Sequence, residues 1–154
     1  MEIIIRIAIA ADHAGYHLKE KLKGYLKDEG YSVYDFGTDS DMSVDYPDYI
    51  CPAARSVAEG KQHLGIVLGG SGNGEAMAAN KIKGIRCALC FNDESARLAK
   101  EHNDANLISI GARMVSELTA ISIVATWLQS KFEGGRHVQR IEKLNKLGEP
   151  SDQN

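Results

Sequence analysis

The sequence predicts a doubly wound, three-layer α/β/α domain, Rossmann-like, built on a five-stranded parallel sheet. Three observations carry this. Short apolar runs alternate from end to end with amphipathic segments of helical period. At residues 64–81 an apolar run stops and passes through a glycine-rich turn straight into the helix-forming Glu-Ala-Met-Ala-Ala run. The chain of 154 residues suits one domain with its own core. Strands spaced by helices imply right-handed βαβ units and a sheet covered on both faces.

Taken in order, residues 3–10 form the first strand, interrupted by Arg6. Residues 16–29 form a helix with Leu18, Leu22 and Leu26 four apart, and Gly30 ends it. A strand follows at 31–34. After a turn-rich stretch, Pro47 suits the first turn of a helix whose apolar face is Ile50, Ala53, Ala54 and Val57. The third strand is 64–68, with a short helix from about residue 75. The fourth strand is 86–90, and Asn92 or Asp93 caps a helix reaching about residue 101. The fifth strand is 107–110, and helices at 117–131 and 135–147 complete the domain. Residues 1–147 are thus read as one domain and 148–154 as a flexible polar tail. The expected strand order is 2-1-3-4-5, which opens a crevice between strands one and three at their carboxyl ends.

Composition removes several functions. A net charge of −3 argues against general nucleic-acid binding, and no apolar run approaches the length of a membrane span. Three cysteines and no secretory leader fit a reducing cytoplasm. Cys87 and Cys90 fall on a strand, where residues three apart point to opposite faces and do not share a metal or a disulfide. No HExxH or paired-carboxylate cluster appears, so neither metal nor cofactor is expected.

The turn carries the chemistry. Glycines at 69, 70, 72 and 74 let backbone amides approach a ligand, and a helix start adds free N–H groups. A phosphate-binding P-loop needs Lys-Ser/Thr after Gly74, where Glu75-Ala76 stands; a dinucleotide fingerprint starting at Gly70 needs glycine at 75. A carboxylate beside an oxyanion-binding turn suits proton abstraction next to a carbonyl. Glu75 is the base candidate, with Ser71 and the amides of Gly70, Ser71, Gly72, Asn73 and Gly74 for the oxyanion. The plainer alternative for Glu75 is an acid that complements the helix dipole. Asp12 either orients a hydroxyl or caps the first helix. His13 either binds phosphate or is an exposed loop residue. Arg136 and Arg140, one helical turn apart with His137 beside them, fit a phosphate monoester or else a solvated helix face.

His102-Asn103-Asp104-Ala105-Asn106 precedes the fifth strand, away from the strand carboxyl ends. It is either a structural turn or part of a neighbouring subunit's site. The helix at 117–131 is apolar nearly all round, which fits either subunit packing or deep burial within the chain.

Seven segments in order resemble the type B ribose-5-phosphate isomerases, a family that also holds galactose-6-phosphate isomerase subunits and allose-6-phosphate isomerases. They are Asp12-His13-Ala14-Gly15, Asp45-Tyr46-Pro47-Asp48-Tyr49, the glycine turn with Ala78-Ala79-Asn80-Lys81, Gly84-Ile85-Arg86, the 102–106 segment, Gly111-Ala112-Arg113, and Glu133-Gly134-Gly135-Arg136-His137. The resemblance implies a metal-free aldose–ketose isomerase, at least dimeric and up to tetrameric, with sites shared between subunits. Many members carry a cysteine base where this chain has Gly69; the chain is similar to the branch whose base is a glutamate, here Glu75. His102 then assists ring opening. Asp12, Asn103 and residues 70–74 contact the sugar, and His13, Arg113, Arg136 and Arg140 surround the phosphate. Tyr46 is a further candidate. The implied substrate is ribose 5-phosphate, with a six-carbon sugar phosphate or a non-catalytic sugar-phosphate-binding role as the alternatives.

Overall fold

The computed structural model describes residues 2–149. Its sheet is built from β1 (Arg6–Ala11), β2 (Ser32–Asp35), β3 (Leu64–Gly69), β4 (Cys87–Leu89) and β5 (Leu107–Gly111). Helices α1 (Tyr16–Asp28), α2 (Pro47–Ala58), α3 (Asn73–Asn80), α4 (Asp93–Glu101) and α5 (Glu117–Gln129) cover it, and α6 (Arg136–Asn145) follows. Every strand pair is parallel. The doubly wound prediction holds.

Alternation in β1 separates two cores. Ile7 and Ile9 face one side with Leu18, Leu22, Leu26, Ile123 and Trp127, the layer of α1, α4 and α5. Ala8 and Ala10 face the other with Ile50, Ala53, Ala54 and Val57 of α2, where small side chains let the helix come close. Cys87 lies in the second core and Cys90 in the first, so the two thiols are on opposite sides of the sheet. Both are free.

The strand order is 2-1-3-5-4, not 2-1-3-4-5. The reason is burial. All five residues of β5 are buried, as an interior strand requires, whereas β4 has three residues and exposes part of Leu89, as suits an edge. Gly65 also makes room for β5, since a Cβ there would lie 2.8 Å from Leu107 Cγ. The crevice between β1 and β3 is unchanged by this exchange. Several boundaries also move by a few residues, most notably at β1 and α3. β1 begins at Arg6, leaving Ile3 and Ile4 exposed, and α3 begins at Asn73 rather than at Glu75.

One ion cluster pins the loop beside the crevice. Lys19, fully buried, donates to Asp35 at 2.6 Å and Glu20 at 2.9 Å, and Lys23 donates to Asp35 at 2.7 Å. Burial acts to raise the Asp35 pKa, yet bonds from Lys19, Lys23 and the Gly37 N–H hold it below the usual range. Gly37 is tied in turn to β1 through Ala11 N–H to its carbonyl at 2.8 Å.

The expected tail lies outside the described residues from 150 onward. Glu149 is described and pairs with Lys83 at 3.3 Å. Among the described residues, no helix is long and apolar enough to cross a membrane.

Candidate functional site

The carboxyl ends of β1, β3 and β5 meet at one crevice. β3 ends at Gly69, which pairs with Gly111 of β5. The chain then turns through Gly72 at φ 83° into α3, a backbone angle that glycine adopts without steric cost. Ser109 Oγ donates to the Gly72 carbonyl at 2.7 Å and locks the turn from beneath. The N–H groups of Ser71, Gly72 and Gly74 have no backbone acceptor among the described residues. Among the described residues they are N–H donors left without a protein acceptor.

Glu75 folds back from the first turn of α3 into the sheet end, and only 4% of it is exposed. A Cβ on residue 69 would fall inside its carboxylate, so this placement of Glu75 requires glycine at 69. Burial raises the Glu75 pKa. Its own backbone N–H acts in the opposite direction, while the charge of Asp12 and a carboxyl–carboxyl hydrogen bond to it raise it further. A base poised toward neutral pH is what proton abstraction needs. Neither core thiol competes, because burial pushes Cys90 up to about 12 and Cys87 higher still.

Asp12 stands at the entry to α1, close to the capping role expected of it. Its Oδ1 accepts from the Ala14 and Gly15 N–H groups at 2.9 and 3.1 Å, closing the turn into α1. Its carboxyl group also meets Glu75. Tyr46 lies across Gly74, where a Cβ would be 2.6 Å from its ring, and Arg113 lies across Gly70 in the same way at 3.2 Å. The crevice therefore gathers Asp12, Tyr46, Arg113, Glu75 and residues 70–74. Ser71 is exposed, and its Oγ accepts from the Asn73 N–H at 3.2 Å. His13 Nδ1 accepts from the Val44 N–H at 3.2 Å, which ties down the loop leading to Tyr46.

The remaining candidates assemble elsewhere. His102 is the C-cap of α4, and its ring stacks on that of His137 at 4.4 Å and 16°. With Asn103 and Arg140 they line a cavity of about 390 Å³. Arg136 and Arg140 are both exposed. The stack exists because Gly134 and Gly135, at φ 68° and 58°, turn the chain back over α4. His137 stands out here: it is the one buried residue of α6, and its Nε2 has no hydrogen-bond partner. Sequence alone places it merely beside the arginines. Nothing in a linear pattern marks a side chain that is buried only because two remote segments cross.

Of the two readings of the 102–106 segment, the structural turn is visible within the chain itself. It is a braced turn, with Arg86 donating to the carbonyls of Asn103 and Asp104 at 3.0 and 2.8 Å, and it also presents His102 to a cavity. It lies at the amino end of β5, where the Gly65 N–H donates to the Asn106 carbonyl. The strand is central rather than at the sheet edge, but the separation from Glu75 remains. Four residue steps of about 3.3 Å along β5 put the two clusters at least roughly 13 Å apart. A cavity of about 840 Å³ adjoins the His102 end between residues 80–88 and the end of α6, and contains neither Glu75 nor Asp12.

Fold and crevice define an α/β protein with a buried pair of carboxyl groups at its topological switch point. The profile of the Ribose/Galactose Isomerase family matches residues 7–144, and the chain belongs to that family. A ribose-5-phosphate isomerase B from Mycobacterium leprae is 46% identical over 142 residues, covering 91% of this chain and 88% of the relative. Among solved structures, a Clostridium thermocellum ribose-5-phosphate isomerase B superposes with a TM-score of 0.92 at 46% identity, over 93% of this chain and 97% of that one. A ribose 5-phosphate isomerase from Thermotoga maritima gives 0.90 at 45% identity, over 93% and 99%.

Proposed function

We propose that this chain interconverts ribose 5-phosphate and ribulose 5-phosphate in the cytoplasm as a homodimer with shared sites and no metal or cofactor. The observation that carries this reading is the buried Glu75 carboxyl, raised in pKa beside Asp12, under a turn of unpartnered N–H groups. Glu75 takes the C2 proton of the open-chain aldose. The electron pair left behind forms the C1–C2 double bond and puts negative charge on O1, facing Ser71 and the 70–74 amides. Glu75 then returns its proton to C1, and the O2 proton moves to O1, leaving the ketone at C2. The second reading is a six-carbon sugar phosphate, favoured by a family description that joins ribose and galactose.

Shared sites follow from distance and exposure. A five-carbon chain ending in phosphate is too short to reach both Glu75 and His102 of one protomer. Helix α6 buries only His137 and exposes Val138 and Leu144, Leu147 is exposed just after it, and Met114 and Leu118 stand exposed before and on α5. A partner covering those faces would bring His102, Asn103, Arg136 and Arg140 to the opposite crevice. His13 and Arg113 then meet the phosphate from the crevice side.

The test mixes two inactive chains, Glu75→Gln and His102→Ala, under conditions that exchange subunits. A two-fold heterodimer would hold one doubly defective site and one intact site. Activity on ribose 5-phosphate should return to about half of wild type per heterodimer. Confirmed exchange without recovery would place both residues in one chain's site. Comparing kcat/KM for ribose, allose and galactose phosphates decides between the five- and six-carbon readings.

A further inference from the structure

We propose that His102, Glu133 and His137 form a binding site for a divalent first-row transition metal ion of the zinc class, and that metal held there inhibits the enzyme. The inhibitory consequence rests on the role given to His102 above; the binding site does not.

Geometry leads to this site. One donor atom from each residue lies within 4.8 Å of the other two. Glu133 Oε2 is 3.6 Å from His137 Nε2 and 3.9 Å from His102 Nε2. In a tetrahedral zinc site with bonds near 2.0–2.2 Å, donors stand about 3.4 Å apart, so closure needs only a few tenths of an ångström for these pairs. The exposed Glu133 and the partly exposed His102 can supply that movement. Their backbones are already joined, the Glu133 N–H donating to the Glu101 carbonyl at 3.0 Å.

An independent feature points to a ligand. His137 is 6% exposed, yet its Nε2 is buried without a partner and faces the carboxylate and the second imidazole. An orphaned buried nitrogen has a desolvation cost that metal coordination would remove. Neutral imidazole is the form that binds metal. Two imidazoles, one carboxylate and an open fourth position suit zinc and its neighbours rather than magnesium or calcium, which select oxygen ligands. The Glu133 charge also disfavours an anion at this spot. Metal on His102 Nε2 removes the nitrogen needed for ring opening.

Calorimetric titration of metal-free protein with Zn²⁺ tests binding without any need for turnover. Wild type should bind one ion per chain, and His102→Ala, Glu133→Gln and His137→Ala should each weaken it at least tenfold. Should His137→Ala fail to fold, the exposed Glu133→Gln carries the comparison. Absent binding, or equal binding by wild type and Glu133→Gln, overturns the site. In the isomerase assay, saturating Zn²⁺ should lower wild-type kcat/KM at least tenfold, and a chelator should restore it. Glu133→Gln should keep its metal-free rate and resist inhibition. Zinc bound to wild type at undiminished rate overturns the inhibition. A protein that binds Zn²⁺ but isomerises no sugar phosphate overturns the proposed function and leaves the site standing.

Discussion

The two ends of this sheet are built in opposite ways. At the carboxyl end, one contiguous stretch, Gly69 to Glu75, carries both the proposed base and the free amides, and the sheet fixes their geometry. At the amino end, His102 and His137 come from separate helices and meet through a double-glycine crossing, with one nitrogen left unpartnered. The first arrangement is complete apart from substrate. The second is complete only with something added, whether phosphate, metal or a second subunit. Chemistry that must be exact is placed on backbone, and chemistry that must adapt is placed on side chains at an open surface.

The sharpest break of this comparison is Glu75→Gln. It keeps size and polarity but removes the base, so kcat should fall by roughly 10²–10⁴ with KM little changed. Near-normal turnover would remove the carboxyl end from the chemistry. The same variant has an opposite effect on stability. The folded pKa of Glu75 lies above its unfolded value, so the native state holds the extra proton between the two, and stability falls as pH rises through that window. Above it the buried charge is a net cost. The variant should therefore melt higher than wild type at neutral pH, and the gap should close below the ordinary carboxylate range.

At the other end, Arg136→Ala and Arg140→Ala should raise KM rather than lower kcat, by about 1.5–3 kcal/mol for each charge-assisted hydrogen bond to the phosphate that is removed. Competitive inhibition by inorganic phosphate should weaken in parallel; an unchanged KM in both would return the arginines to the solvated-face reading. Arg86→Ala is a smaller test of the same end. It removes the bonds to Asn103 and Asp104 and should cost roughly 1–3 kcal/mol of stability in urea unfolding, while the acid limb of the pH profile stays in place. A shifted limb would mean that the two ends are coupled within one chain.

The finest test concerns the acid pair. Activity should rise with pH as Glu75 ionises, along a limb above the usual carboxylate range. Asp12→Asn keeps the acceptor for the Ala14 and Gly15 N–H groups but removes a neighbouring negative charge. The limb should move to lower pH. An unmoved limb would leave burial as the whole cause.

The sequence by itself determined the fold class, the helix faces and the glycine turn, because period and turn chemistry are local properties. Leu18, Leu22 and Leu26 are buried as their spacing requires, and Asn92 caps α4 with Ser95 in a reciprocal box. The opposite placement of Cys87 and Cys90 was legible for the same reason. Position in the chain also put Asp12 and Glu75 at one crevice. The exchange of β4 and β5 was not legible, because order in a sheet depends on comparing the burial of whole strands. The mostly apolar 107–111 run, interrupted only by Ser109, against the short 87–89 run was the available clue. Only the tertiary structure decided that Glu75 occupies the space beside Gly69, that Arg113 and Tyr46 lie on the glycine turn, and that His137 is buried against His102. Apart from the Glu75–Gly69 contact, which depends on how α3 folds back on β3, these pairings join segments far apart in sequence, and no local pattern encodes such a distance.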